Sequence, residues 1–184
     1  NIDMKRKSQK IAFCGVMGAV MLCLMLLGNV IPVATYAVPC LCSILMMIVL
    51  TECGKTWCFT LYVAVSLVAL TAIIDKELSL FYVLLLGYYP MVKIHIDKLK
   101  SSIVKWVIKI GMFFTACGAI YLLLLVVFPL GDLISEFSYM SAALIAALAI
   151  LGAITFVALD IAIDKVNYIY LNKLRPKLIR SGKN

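Results

Sequence analysis

The chain has 184 residues, of which 65% are hydrophobic and 14% charged, and its mean hydropathy is +1.10. That composition excludes a soluble domain and indicates an all-α, polytopic membrane protein forming one domain over residues 1–184. The net charge of +8 does not point to nucleic acid, because the basic residues stand in short groups between apolar runs rather than along one face. They read as topology signals.

Residues 1–3, ahead of Met4, are expected to be a remnant foreign to the protein and carry no weight in the fold. Lys5, Arg6, Lys7 and Lys10 then precede an apolar run over residues 11–31. A basic start before a hydrophobic run also describes a secretory signal. This run, however, has the about 20 residues of a full span rather than a signal core, so it is expected to stay as the first helix. Residues 29–38 carry no charge and have Pro32 and Pro39 near their ends, which predicts a compact turn at the membrane surface. The second span is predicted over 37–50 and the polar turn Thr51-Glu52-Cys53-Gly54-Lys55-Thr56 follows. The third span covers 57–74, and Asp75-Lys76-Glu77 turns the chain into the fourth, over 78–92.

The fourth run ends in Gly87-Tyr88-Tyr89-Pro90-Met91-Val92-Lys93. A glycine and a proline there predict a bend, since breakers inside spans are tolerated where neighbours re-satisfy the freed backbone groups. A polar connection over 95–105, helical in character, leads to the fifth span, 107–128, which Pro129-Leu130-Gly131 stops. A polar loop over 132–138 precedes the sixth span, 139–163, whose polar continuation ends at Arg175-Pro176 and a basic tail.

Six spans separate the lysines and arginines into 16 on one side and Lys76 alone on the other. The positive-inside rule places the basic side, with both termini, in the cytosol, and the expected location is multi-pass in the plasma membrane. The other side carries Asp75, Glu77, Asp132 and Glu136. Acidic residues weigh little in topology, so this balance reads either as loops that escape the basic bias or as an acidic mouth favouring cationic or neutral solutes.

Gly54-Lys55-Thr56 is not a phosphate-binding loop: Val49 stands where the first glycine is needed, and no strand precedes it. The chain therefore encodes no ATPase of its own. The seven cysteines mostly fall in apolar runs, where cysteine acts as a small hydrophobe, and Cys53, Cys58 and His95 lack the spacing of a zinc site. No Ser/His/Asp set suggests catalysis, and no metal or cofactor is expected. Lys93, Lys109, Asp160 and Asp164 should lie at similar depth near the cytosolic boundary, where ionisable groups snorkel or pair, so a structural ion pair is expected there. Tyr36, Tyr82, Tyr121, Phe137 and Tyr139 lie at outer depth, as an aromatic belt or as the wall of a site for a flat ring. Gly15, Ala19 and Cys23, four apart on span one, and the alanines of span six allow close helix approach, within the bundle or to another subunit.

Six short helices with both ends inside, a basic start and the face Gly15-x-x-x-Ala19-x-x-x-Cys23 resemble the substrate-binding membrane subunits, or S-components, of energy-coupling factor vitamin transporters. Gly87-Tyr88-Tyr89-Pro90 with Lys93 is also similar to a stretch in uncharacterised small membrane proteins of Gram-positive bacteria. The first resemblance implies uptake of a vitamin-like small molecule captured on the outer side. It implies energy from a separate module of two ATPases and a transmembrane coupling subunit that docks on Gly15, Ala19 and Cys23. Depth and side select Asn29, Tyr36, Asp75, Tyr82, Tyr121, Asp132, Glu136 and Tyr139 as expected pocket residues. The alternative is a structural or scaffold protein of the cell envelope. An ion-coupled carrier ranks below both, because no carboxylate is expected at the bilayer midplane.

Overall fold

An apolar run in lipid satisfies its backbone most directly as an α-helix, and the computed structural model of the protein, which describes residues 7–28, 34–127 and 142–174, is helical almost throughout. The elements in chain order are α1 (Lys7–Gly28), α2 (Ala34–Cys53), α3 (Lys55–Ala72) and α4 (Lys76–Phe81). A π-helical turn (Tyr82–Leu86) follows, then α5 (Tyr89–Ile96), α6 (Ser102–Val127), α7 (Ala142–Ile169) and a second π turn (Tyr170–Leu174). Five stretches, Lys7–Gly28, Thr35–Cys53, Lys55–Ala72, Lys76–Ile96 and Ser102–Leu123, are long and apolar enough to cross a membrane. The 28 residues of α7 also exceed the about 20 that a span requires.

Helix starts differ from the sequence expectation at two places. The turn expected over 29–38 gives way to helix from Ala34, while Pro39 lies inside α2 as it does inside the span expected over 37–50. A proline this close to a helix start forfeits only one hydrogen bond near the end of the ladder. The connection over 95–105, expected to be helical, is broken between Ile96, where α5 ends, and Ser102, where α6 begins. Between α2 and α3 the turn narrows to a single residue. Gly54 takes φ +89, and its N–H bonds Leu50 O at 3.2 Å while its own carbonyl accepts from Cys58 N at 3.1 Å. A side chain there would be strained.

The centre of the bundle is the broken span α4–π turn–α5. In its apolar stretch 61% of residues are buried, against 50% in α2, 28% in α1 and α3 and 22% in α6, so α1, α3 and α6 are left to face lipid or partners. Tyr82, Leu78, Leu85 and Tyr89 of this span are fully enclosed, together with Met21, Met25, Met46, Ile73, Ile120 and Ile163 from the surrounding helices. Unbranched methionines fill irregular gaps, which suits a core built around a helix of changing pitch.

The π turn has identifiable supports. Gly87 N donates to Tyr82 O at 2.6 Å, five residues back, so the ladder slips by one residue. Tyr62 of α3 donates its hydroxyl to Val83 O at 2.7 Å and supplies a partner within the loosened ladder. A Cβ on Gly87 would lie 2.8 Å from the Tyr62 ring and 2.8 Å from Tyr82 O, so the close approach needs glycine. Pro90 then enters at the first turn of α5, where its missing N–H costs little. The bend expected from Gly87 and Pro90 is therefore a π turn followed by a fresh helix start, locked from α3.

Small residues serve packing at particular points. Gly18 faces α3, where a Cβ would meet Leu61 Cδ1 at 3.0 Å, and Gly152 of α7 faces Phe113, with 3.2 Å to its Cζ. Gly15, Ala19 and Cys23, by contrast, are all exposed on the outward side of α1, and a Cβ on Gly15 would meet nothing within 4 Å.

Candidate functional site

Two polar clusters lie at opposite ends of the broken span, one on α4 and one on α5. The first begins where α3 ends. Asp75 caps α4 by accepting from Leu78 N at 3.1 Å and also accepts from Thr35 Oγ1 of α2 at 2.9 Å. Two residues on, Glu77 Oε1 accepts from Tyr36 OH of α2 at 2.8 Å and from Tyr121 OH of α6 at 3.5 Å. Tyr36 is held at its other edge by Phe81, ring centroids 5.2 Å apart at 82°, yet is 50% exposed. Three helices thus converge on one carboxylate. Lys76, between the two acids, turns away and caps the end of α3, with Nζ 3.0 Å from Leu70 O and 2.8 Å from Ile73 O. A cation at a helix C-terminus is favourably placed against the dipole.

Of the residues expected to form a pocket, Tyr36, Asp75 and Tyr121 meet here. Tyr82 stands apart, fully buried deeper in the span. Its ring packs 6.3 Å from that of Tyr62, and no described group bonds its hydroxyl. Asn29, Asp132, Glu136, Phe137 and Tyr139 lie outside the described residues. Glu77, which the sequence places among the acidic outer residues without singling it out, is the hub of the cluster.

The second cluster ties α5, α6 and α7. Lys93, 1% exposed, pairs with Asp160 Oδ1, donates to Asp160 O at 2.9 Å and reaches Asp164 Oδ2 at 3.0 Å. Lys109 bonds Asp160 Oδ2 at 2.8 Å and the Asp97 carboxylate at 3.0 Å, with its ammonium 5.6 Å from the Trp106 ring. Tyr89 adds a 2.5 Å hydrogen bond to Asp160 Oδ1. All three hydrogens of Lys93 and both oxygens of Asp160 have partners, the condition under which buried charge is tolerated. One turn deeper, Phe156 packs on Tyr89 at 4.9 Å and on Phe113 at 5.1 Å, closing the cluster on its apolar side. The four residues expected to pair meet here, joined by Asp97 and Tyr89, which were not among the expected set.

An Asp160 held by two ammonium groups is already neutralised and offers no vacant cation site. His95 uses both ring nitrogens: Nδ1 lies 2.9 Å from Met91 O, and Nε2 3.0 Å from Lys55 Nζ. With Nδ1–H donating to the carbonyl, Nε2 accepts from the lysine, and the contact joins the start of α3 to α5. Among the described residues no group of three His, Cys, Asp or Glu side chains is arranged to hold a metal ion.

No protein-family model, curated protein or solved structure matches the chain.

Proposed function

We propose that the chain is a substrate-binding subunit of a membrane uptake system, taking a small vitamin-like solute at the Glu77 end of the bundle and relying on a separate ATPase module for energy. The observation that carries this reading is the convergence of Tyr36 and Tyr121 on Glu77, three residues from three helices with a half-exposed aromatic ring among them. Small-molecule sites combine aromatic walls with a few placed polar groups in this way. The excess of lysine and arginine at the opposite ends of the helices supports an outer position for Glu77, cytosolic termini and a plasma-membrane location. The charge-locked α5–α6–α7 end would then be the inner, fixed end against which the solute end works.

The outward face Gly15, Ala19 and Cys23 is the proposed surface for a transmembrane coupling subunit bearing two ATPases. It is exposed on α1, and small residues allow close backbone approach between helices in lipid. A second reading, a scaffold protein of the cell envelope, draws on the filled centre of the bundle, where Tyr82, Tyr89 and three methionines leave span four tightly enclosed.

Native mass spectrometry of gently purified protein separates the two. Uptake predicts a retained small molecule and a coupling subunit with ATPases. A ligand-free chain captured with cell-wall proteins would overturn uptake in favour of the scaffold.

A further inference from the structure

We infer, resting on the solute-binding reading above, that the solute is an organic cation whose ammonium group is received by Glu77 and whose apolar part lies against the Tyr36 ring. Tyr36 commits its hydroxyl hydrogen to Glu77 Oε1 at 2.8 Å, and the longer Tyr121 contact points to the same oxygen. What the cluster then offers a ligand is acceptors: Glu77 Oε2, which no described donor reaches, and the lone pairs of the half-exposed Tyr36 hydroxyl. A ligand that complements acceptors is a hydrogen-bond donor, and a charged donor gains most from a carboxylate.

The position of charge agrees. The basic residue nearest in sequence, Lys76, has its ammonium on the carbonyls of Leu70 and Ile73, and among the described residues no ion pair involves Glu77. Among the described residues an anionic solute would meet the Glu77 charge with no cation paired to it, whereas a charged donor would meet a carboxylate oxygen. The aromatic component supplies the rest. Tyr36 is fixed by its hydroxyl bond and by the edge-to-face Phe81 contact, yet half of its surface is open. A preset, accessible ring beside a carboxylate is the arrangement that attracts ammonium groups through both charge and the ring quadrupole.

The test uses the full chain in nanodiscs and three probes of one shape: benzylammonium, benzyl alcohol and benzoate. Binding is read by saturation-transfer NMR against empty nanodiscs. Benzylammonium is expected to bind while benzyl alcohol and benzoate give no transfer, and Glu77→Gln is expected to weaken the benzylammonium signal by about tenfold or more. If Glu77→Gln lowers the melting temperature enough to lose the fold, Tyr36→Leu, at a half-exposed position, takes its place with the same expected loss. Alcohol or benzoate binding as well as benzylammonium, or a benzylammonium signal indifferent to both substitutions, overturns the cation while leaving a solute site standing. Absence of transfer from all three probes overturns the cation at this site, and a native mass spectrum without a small molecule then separately removes the solute-binding reading.

Discussion

Lys93 binds Asp160 twice, pairing with its carboxylate and donating to its backbone carbonyl at 2.9 Å. The double contact fixes both the side chain and the axial position of α7 relative to α5. Removing either partner leaves the other enclosed with only Lys109 or Asp164 as its opposite charge, so the loss should approach the about 3–5 kcal/mol of a broken buried pair. Lys93→Met and Asp160→Asn are therefore expected to lower the melting temperature in detergent strongly. Lys109→Met should cost less than Asp160→Asn, because it strands fewer partners: Asp160 keeps Lys93 and Tyr89, and Asp97 is part-exposed. The order of the melting temperatures checks the assignment. A Lys93→Met protein that melted normally and failed only in uptake would show the lysine to be functional instead.

Gly87 is the point where α3 and the π turn touch. Gly87→Ala places a methyl 2.8 Å from the Tyr62 ring and from the Tyr82 carbonyl, and backbone cannot yield as a flexible side chain can. Overpacking of this kind costs about 1–3 kcal/mol. The control is Gly111→Ala on α6, where an added Cβ meets nothing within 4 Å. There the helix propensity of alanine should leave stability equal or raise it by up to about 1 kcal/mol. Thermal melts of the two variants side by side test whether the close approach, rather than glycine itself, matters.

How much of this is readable from sequence varies by feature. Apolar runs and basic ends gave the helices, and depth alone brought Lys93 and Lys109 level with Asp160, because a residue count along a span measures distance from the membrane surface. Rotation about a helix axis was not readable. Most spans are apolar on every side, so nothing in the pattern told that Tyr82 turns into the core while Tyr36 stays half open. The π turn depends on Tyr62 reaching Val83 from 21 residues away, and the role of Glu77 on Tyr36 and Tyr121, 41 and 44 residues distant. Such partners are fixed by tertiary packing and leave no local mark. The uncharged stretch flanked by Pro32 and Pro39 read as a turn as far as residue 38, although the helix that holds Pro39 already begins at Ala34.

Tyr82 carries a hydroxyl that no described group bonds, in a side chain with no exposed surface. A buried hydroxyl without a partner costs about 1–3 kcal/mol, so deleting it should relieve part of that cost. Tyr82→Phe is expected to raise the melting temperature or leave it unchanged, while the ring keeps its packing on Tyr62. A clear fall in stability would reveal a hydrogen bond made by this hydroxyl in the membrane, and would return Tyr82 to the candidate pocket.

The outward stripe on α1 gives a prediction in which folding and assembly separate. Gly15, Ala19 and Cys23 are exposed, while Gly18 and Cys14 on the other side of the same helix are buried, with Gly18 against Leu61 of α3. A large residue at position 15 has room in the isolated chain. Gly15→Leu should thus leave the melting temperature nearly unchanged, since surface substitutions away from packed features stay within about 0.5 kcal/mol. Gly18→Leu should destabilise, because it drives a side chain into Leu61. If the stripe receives another helix, Gly15→Leu holds that helix away and abolishes co-purification of the partner from native membranes, since packing between helices in lipid depends on close approach rather than on exclusion of water. Retention of an unchanged partner complex by Gly15→Leu would show that the stripe faces lipid alone.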